Sequence, residues 1–531
     1  MGVIASTPGP VKIYLKDIEL SKENYVIDST LYNGNLKYVV KACLLASKNK
    51  KLKTAVFKLY LPGVKSDHLS KAISQALEKL ESVTIYGTGL DFFSKSKWIV
   101  YWRNARVDTL SIKFDISDSA FQYLCSGLEG NRFIRELNFK ILSFAQLSQL
   151  EWALIQNSTV KVLGISCEPR SVTVDNEENT SGILSSYAPS QVVTPSNAYL
   201  LAQNTSIETY ILSGYLENYT PGLILGLAGN QTVIRLILEN IDMDRDSLPF
   251  FTQMFIVNSH IKEIETRWGF NTMSAMVLFS GLKASSSVEI LRMRESTFFE
   301  GGYIMLKEML ERNESLKYLE IKDMLHLGTN SQNIDIQCKN MIFVIKGVTA
   351  SRSLRDLILS VHKSKLDCDP DARHFKSEEL KTELKKLLQE NKVLRSLKIE
   401  NFRLGKEEIK AIAEGLAENQ SLLTLSLNGN EIDWKDLEYL ARSLRENQVL
   451  RTLEIGLNKI YAWHDIVNLY GAASANDALT NMNDVFTSLS MSKIRNIKVT
   501  DWFWEERKYP ASIADLVFAT KQKINANSRE V

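Results

Sequence analysis

The apolar positions of the chain recur at a fixed interval. The stretches Asn391-Lys-Val-Leu394-Arg-Ser-Leu397-Lys-Ile399, Asn419-Gln-Ser-Leu422-Leu-Thr-Leu425-Ser-Leu427 and Asn447-Gln-Val-Leu450-Arg-Thr-Leu453-Glu-Ile455 follow one another at 28-residue steps. The template Asn-x-x-Φ-x-x-Φ-x-Φ, anchored on its first apolar residue (position a), also fits Leu52, Leu80, Val107, Ile134, Val160, Ile207, Val233, Ile261, Val288, Leu316 and Leu354, and in degenerate form Ile494. Ten of the fourteen intervals between these fifteen anchors are 26–28 residues, so the period belongs to the whole fold and not to one segment. Alternation such as Leu425-x-Leu427 predicts a short strand with one buried face, whereas Leu437, Leu440 and Leu444 have helical spacing. Each unit therefore reads as strand, turn, helix, turn.

Eleven of the fifteen units place Asn three residues before the anchor: Asn49, Asn104, Asn131, Asn157, Asn204, Asn230, Asn258, Asn313, Asn391, Asn419 and Asn447. The position predicts a helix C-terminal cap in the left-handed conformation that Asn tolerates better than most residues. The units at Leu422–Ile432 and Leu450–Ile460, with interior asparagines Asn430 and Asn458, resemble leucine-rich repeats of the ribonuclease-inhibitor type. Such repeats also form the recognition ends of nucleotide-binding immune receptors. The resemblance implies an α/β solenoid, a horseshoe with a parallel concave sheet, outer helices and end caps. It covers roughly residues 50 to 500 and specifies fold better than function.

The domain reading follows. Residues 1–9 are a flexible N-terminus, 10–48 an N-terminal cap with a strand over 11–20 and a helix over 36–46, and 49–500 the solenoid. Insertions fall near 168–197, 326–340, 360–376 and 460–487, the last expected to hold an extra helix. Residues 501–531 form a C-terminal cap and tail in which Trp502, Phe503 and Trp504 plug the last open layer.

Composition narrows the chemistry. Of 531 residues, 44% are hydrophobic and 24% charged, enough to build a large core, so wholesale disorder is excluded. Sixty-four basic against 62 acidic residues leave a formal charge of +2, which removes the basic excess of a broad nucleic-acid grip. Five cysteines, widely spaced and odd in number, indicate neither a disulfide framework nor a zinc ribbon. No apolar run is long enough for a membrane span and no secretory signal is evident, so a soluble cytoplasmic protein is expected. Met1-Gly2-Val3-Ile4-Ala5-Ser6 matches the N-myristoylation pattern, which makes Gly2 the lipidation candidate, and membrane association is expected only if Gly2 is acylated.

Several motifs have plainer explanations. Sequons occur at Asn157, Asn179, Asn204, Asn218, Asn230, Asn313 and Asn419, but five of the seven coincide with the repeat's Asn. Asp367-Cys-Asp369-Pro-Asp371 with Glu378 imitates a calcium loop, yet Ala372 stands where the turn needs Gly and Pro370 interrupts it. His362, Cys368 and His374 match no zinc-finger spacing, so no metal is assigned. Cys368 between aspartates resembles the catalytic Cys-x-Asp of leucine-rich-repeat ubiquitin ligases, but the chain has no room for their catalytic domain. Walker A, GxSxG, HExxH and GxGxxG motifs are absent.

If a, a+3 and a+5 point inward, then a+2, a+4 and a+6 line the concave face. The middle units are the charged ones there. They present Arg235 and Glu239, then Glu263, Glu265 and Arg267 followed by Trp268, then Arg292 and Arg294, then Tyr318, Glu320 and Lys322. Glu263 and Glu265 are placed to pair laterally with Arg292 and Arg294, or with Arg235. The expected function is a non-enzymatic, monomeric scaffold that binds a protein partner on this belt without a cofactor, as a host-directed microbial effector or an intracellular adaptor. Two rival readings are a GTPase activator built on similar repeats and a peripheral membrane scaffold.

Overall fold

All fifteen anchors are buried, from Leu52 to Ile494. The structure, a computed structural model, describes residues 24–32, 35–61, 66–88, 93, 95–141, 144–167, 202–215, 220–242, 248–268, 270–295, 298–322, 331–361, 377–430, 432–456, 458, 460, 478, 480–498, 503 and 509–529. It divides into two compact units, within residues 1–261 and 262–531.

The first unit holds eight parallel strands in chain order: β1 (Asn24–Asp28), β2 (Thr54–Tyr60), β3 (Ser82–Thr88), β4 (Thr109–Lys113), β5 (Glu136–Ile141), β6 (Val162–Cys167), β7 (Thr209–Tyr215) and β8 (Arg235–Asp242). The second repeats the arrangement with β9 (Glu263–Arg267), β10 (Ile290–Arg294), β11 (Tyr318–Lys322), β12 (Asp356–Ser360), β13 (Ser396–Glu400), β14 (Thr424–Ser426), β15 (Thr452–Glu454) and β16 (Asn496–Lys498). Within each unit the helices between strands form a second layer on one face of the sheet. Side chains at a+3 and a+5, such as Leu425 and Leu427, fill the space between layers. The other sheet face carries a+2, a+4 and a+6, and no helix among the described residues packs on it.

The helix Trp434–Glu446 shows why these segments fold locally. Asp433 accepts from the Asp436 amide while the Asp436 carboxylate returns to the Asp433 amide, a capping box that contributes about 1 kcal/mol. Leu437, Leu440, Ala441 and Leu444 make the buried stripe, and Asn447 ends the helix.

The repeat asparagine caps the helix as expected, but not in the expected conformation. Asn313, Asn391, Asn419 and Asn447 are extended, with φ near −70° and ψ between 122° and 132°. The extended backbone turns the side chain inward, where its amide joins two repeats. Asn447 Nδ2 donates to the carbonyls of Leu416 and Asn419 of the preceding repeat at 2.7 and 2.9 Å. Its Oδ1 accepts from the amides of Val449 and Leu450. Asn131, Asn157, Asn258 and Asn313 repeat this pattern, so the asparagines form a buried ladder. Where the chain has Ser285 or Ser351 instead, the hydroxyl accepts from the anchor amide. The ladder also accounts for the sequons: Asn157, Asn204, Asn230, Asn313 and Asn419 are all buried.

The left-handed residue stands elsewhere, at a+7, where the chain leaves the strand. Gly214, Asn240, Trp268, Glu295, Asn401 and Gly429 all have φ between +45° and +89°. A second asparagine ladder runs through Asn430 and Asn458: Asn430 Oδ1 accepts from the Phe402 amide, and Asn458 Oδ1 from the amides of Asn430 and Ile432.

At the chain ends, the helix Leu36–Lys48 stands where a helix is expected over 36–46, the strand before it is β1 at Asn24–Asp28, and the strand expected over 11–20 lies outside the described residues. Phe503 is fully buried, with Trp434, Phe486 and Tyr509 around it at 5.3 to 5.9 Å between successive rings, as a plug requires. Trp502 and Trp504 lie outside the described residues, as do most of the insertions 168–197, 360–376 and 460–487. The insertion near 326–340 continues into the repeat's own helix, Ser331–Ala350, which is 20 residues long.

Candidate functional site

The open face of β9, β10 and β11 is built from side chains two residues apart on three adjacent parallel strands. The register sets Ile290 between Glu263 and Tyr318, Arg292 between Glu265 and Glu320, and Arg294 between Arg267 and Lys322. Opposite charges meet both along and across the strands. Arg292 pairs with Glu263 and reaches Glu320 at 3.4 Å. Arg294 lies 3.3 Å from Glu265, which also takes a 2.6 Å bond from Arg267 on its own strand. Glu320 is the hub: Lys322 donates to it at 2.6 Å, the Tyr318 hydroxyl at 2.9 Å, and Arg294 stands 3.9 Å away. The Arg292 guanidinium also lies over the Tyr318 ring, 5.1 Å from its centre.

Burial makes this network rigid. Glu265 and Glu320 are 0% and 3% exposed, and charges at that depth persist only when paired and hydrogen-bonded. Burial works to raise the Glu320 carboxyl, but the bonds from Lys322 and Tyr318 and the charges of Lys322 and Arg294 outweigh it and hold the group below the ordinary carboxylate range. The Tyr318 hydroxyl is pushed up to about 12 by burial and by Glu320. Both groups keep one protonation state through neutral pH, so this is a fixed pattern of charge. Three carboxylates against four cations leave one positive charge, carried toward solvent by Arg294 and Lys322, whose side chains are 43% and 44% exposed.

Trp268 closes one edge of the cluster. It is 54% exposed, its amide donates to the Arg294 carbonyl at 3.2 Å, and its φ is +45°. The left-handed backbone is the repeat's own a+7 corner, filled elsewhere by Gly214, Asn240, Glu295, Asn401 and Gly429; only here does it carry a bulky aromatic among these six.

The pairing of Glu263 and Glu265 with Arg292 and Arg294 was legible from strand alternation. The hub role of Glu320 was not, because its partners come both from its own strand and from β10. Arg235 and Glu239 are half-buried on β8 of the first unit, in register with Thr209 and Ser213 of β7. Gly2 and the calcium-like loop before Ser377 lie outside the described residues, and among the described residues no group of three His, Cys, Asp or Glu is arranged to hold a metal. No described helix is long and apolar enough to cross a membrane.

No family model and no curated protein sequence matches the chain. Among solved structures it is similar to a chain of the Rad7–Elc1 complex from yeast, at 13% identity over 85% of this chain and 89% of that one, with a TM-score of 0.31. It is similar to a chain of the TLR13–ssRNA13 complex, at 13% identity over 86% and 46% of the two chains, with a TM-score of 0.37. The leucine-rich-repeat-containing protein LegL7 from Legionella pneumophila matches at 13% identity over 64% and 96%, with a TM-score of 0.34. On its own geometry of buried anchors, parallel strands, alternating helices and asparagine ladder, the chain has a leucine-rich-repeat fold.

Proposed function

We propose that the protein is a non-enzymatic scaffold that binds a protein partner on the open face of β9, β10 and β11. The observation that carries this reading is the juxtaposition of a pre-paired charge network with Trp268, an aromatic 54% exposed at the corner where β9 ends. A network already locked by its own ion pairs loses little side-chain entropy on association. Arginine and aromatic anchors at the border of such a network are the residue types that dominate binding energy at protein interfaces. Arg294, Lys322 and Trp268 supply the accessible anchors; Glu265 and Glu320 hold them in place.

The test is quantitative affinity capture from cell extract with the wild type beside a Trp268→Ala, Lys322→Gln double variant. Trp268 is exposed, and Glu320 keeps Tyr318, Arg292 and Arg294 when Lys322 is replaced, so the thermal transition is measured first and recovery is compared between folded proteins. At least one partner is expected to fall about tenfold or more in recovery, equivalent to about 1.4 kcal/mol. A folded variant that retains every partner at wild-type recovery would place the binding surface elsewhere.

A further inference from the structure

The residues at a+1 form a row along the edge where the strands begin, because each donates its amide to the a+1 carbonyl of the repeat before. In the first unit this runs Lys53, Glu81, Asp108, Arg135, Lys161, Glu208 and Ile234, and in the second Lys262, Glu289 and Lys317, with amide bonds of 2.7 to 2.9 Å. Through these repeats opposite charges pair with their neighbours: Lys53 with Glu81, Arg135 with Asp108, Lys161 with Glu208, Lys317 with Glu289. The row then continues as Arg355, Arg395, Leu423, Arg451 and Arg495, joined by the same amide bonds, and the pairing stops.

The turns leading into these strands add Arg352, Lys392 and Lys493. The five segments 351–355, 391–395, 419–423, 447–451 and 491–495 hold seven cations and no acid. Among the described residues none of the seven belongs to an ion pair. Arg395 and Arg451 donate only to backbone carbonyls, of Ser421 and Gln448, which leaves their charge uncompensated. The acid beside the row is Asp356, which feels the charge of the adjacent Arg355 without forming an ion pair with it; Arg395, Arg451 and Arg495 have no such neighbour in sequence. Like charges on neighbouring strands cost stability, so a run of them after a paired series is a local rule broken.

Two apolar features interrupt the basic row. Leu423 and Met491 are 41% and 58% exposed. At Arg495 a cleft of about 400 Å³ opens between β16 and the helix Ala511–Arg529, where Arg495, Lys521, Asn496, Asn525 and Ser528 surround Ile497 and Ile524, so its walls are mostly polar and basic. No aromatic side chain stands along these five segments, and single-stranded nucleic acid is gripped through aromatic stacking platforms.

We infer that this edge of β12 to β16 is a second interaction surface, and that it takes an extended acidic peptide segment carrying apolar residues. Four strand intervals of about 4.8 Å make a row of about 19 Å, which spans about six residues of extended chain. Acidic side chains complement the arginines and the basic wall of the cleft, and apolar ones fit Leu423 and Met491. The surface shares no residue with the belt on β9 to β11.

The test is fluorescence anisotropy on the full chain with a labelled peptide of roughly eight residues alternating glutamate and leucine. Binding is expected to weaken as salt rises, and an Arg395→Glu, Arg451→Glu variant is expected to lose affinity at least tenfold. Those reversals recreate the alternation found elsewhere in the row, so the thermal midpoint should not fall; if it does, Arg395→Gln with Arg451→Gln replaces them, with about fivefold loss expected. Lys322→Gln should leave peptide binding unchanged. Absence of peptide binding, equal binding by the variants, or equal binding of a lysine–leucine peptide overturns the inference. An oligouridylate that binds more tightly than the peptide and is lost in the same variant overturns it too, by making the row a nucleic-acid surface.

Discussion

Replacing Asn447 separates two accounts of the repeat asparagine. If the residue were present for a left-handed cap, Asn447→Gly would be neutral or stabilising, since glycine adopts that conformation most readily. In the structure its backbone is extended and its side chain, 3% exposed, makes four hydrogen bonds. Truncation to alanine leaves the Leu416 carbonyl its bond from the Asn419 amide, but strips the Asn419 carbonyl and the Leu450 amide of these partners. Each buried group left unsatisfied costs about 1–3 kcal/mol, and water entering the vacated space recovers part, which sets the expectation at about 2–4 kcal/mol. Asn447→Gly should cost at least as much, because glycine adds backbone entropy to the unfolded state. Repeat arrays fray locally, so the assay is native-state hydrogen exchange at the Leu450 amide and its neighbours, with urea unfolding as the global measure. A loss below about 0.5 kcal/mol in both variants, or a glycine variant more stable than the alanine one, would refute the ladder argument.

Two further outcomes follow from the same reasoning. Trp268→Gly relieves a left-handed conformation that costs a side chain about 1–2 kcal/mol and returns about 0.5–1 kcal/mol as glycine entropy, so stability in urea should hold or rise slightly while partner recovery falls; destabilisation beyond about 1 kcal/mol would make Trp268 a packing residue. Glu151 is buried, its Oε2 lacks a hydrogen-bond partner among the described residues, and burial pushes its carboxyl up to about 8. The folded state thus keeps a proton that the unfolded chain releases near 4.5, and stability falls as pH rises from there to about 8, then levels off. Glu151→Gln removes that slope: its thermal midpoint should exceed the wild type's by a margin that grows between pH 5 and pH 8, and a constant margin would contradict the assignment.

Much of the candidate site was legible because strand alternation has a period of two. Once Ile261 is an anchor, Glu263, Glu265 and Arg267 must share the face opposite Ile264 and Thr266, and the burial of the last two bears this out. What alternation does not reveal is depth. Glu265 and Lys322 occupy equivalent faces of their strands, yet one is sealed by Arg267 and Arg294 and the other reaches solvent. The left-handed position was misplaced for a related reason. Asn is common both at left-handed corners and where a side-chain amide must bridge backbones, and only the neighbouring repeat's carbonyls tell the two apart.

The sequence by itself determined the repeat, its strand and helix, and the inward set of side chains, because these depend on contacts within one unit of about 28 residues, which local periodicity encodes. The tertiary structure decided which repeats meet and therefore which charges are neutralised. Arg355 and Arg395 are forty residues apart and Arg451 and Arg495 forty-four, yet both pairs are hydrogen-bonded neighbours along the row. Lateral pairing joins side chains across insertions of unequal length, and a run of arginines separated by such distances becomes one basic edge only when the strands are laid side by side.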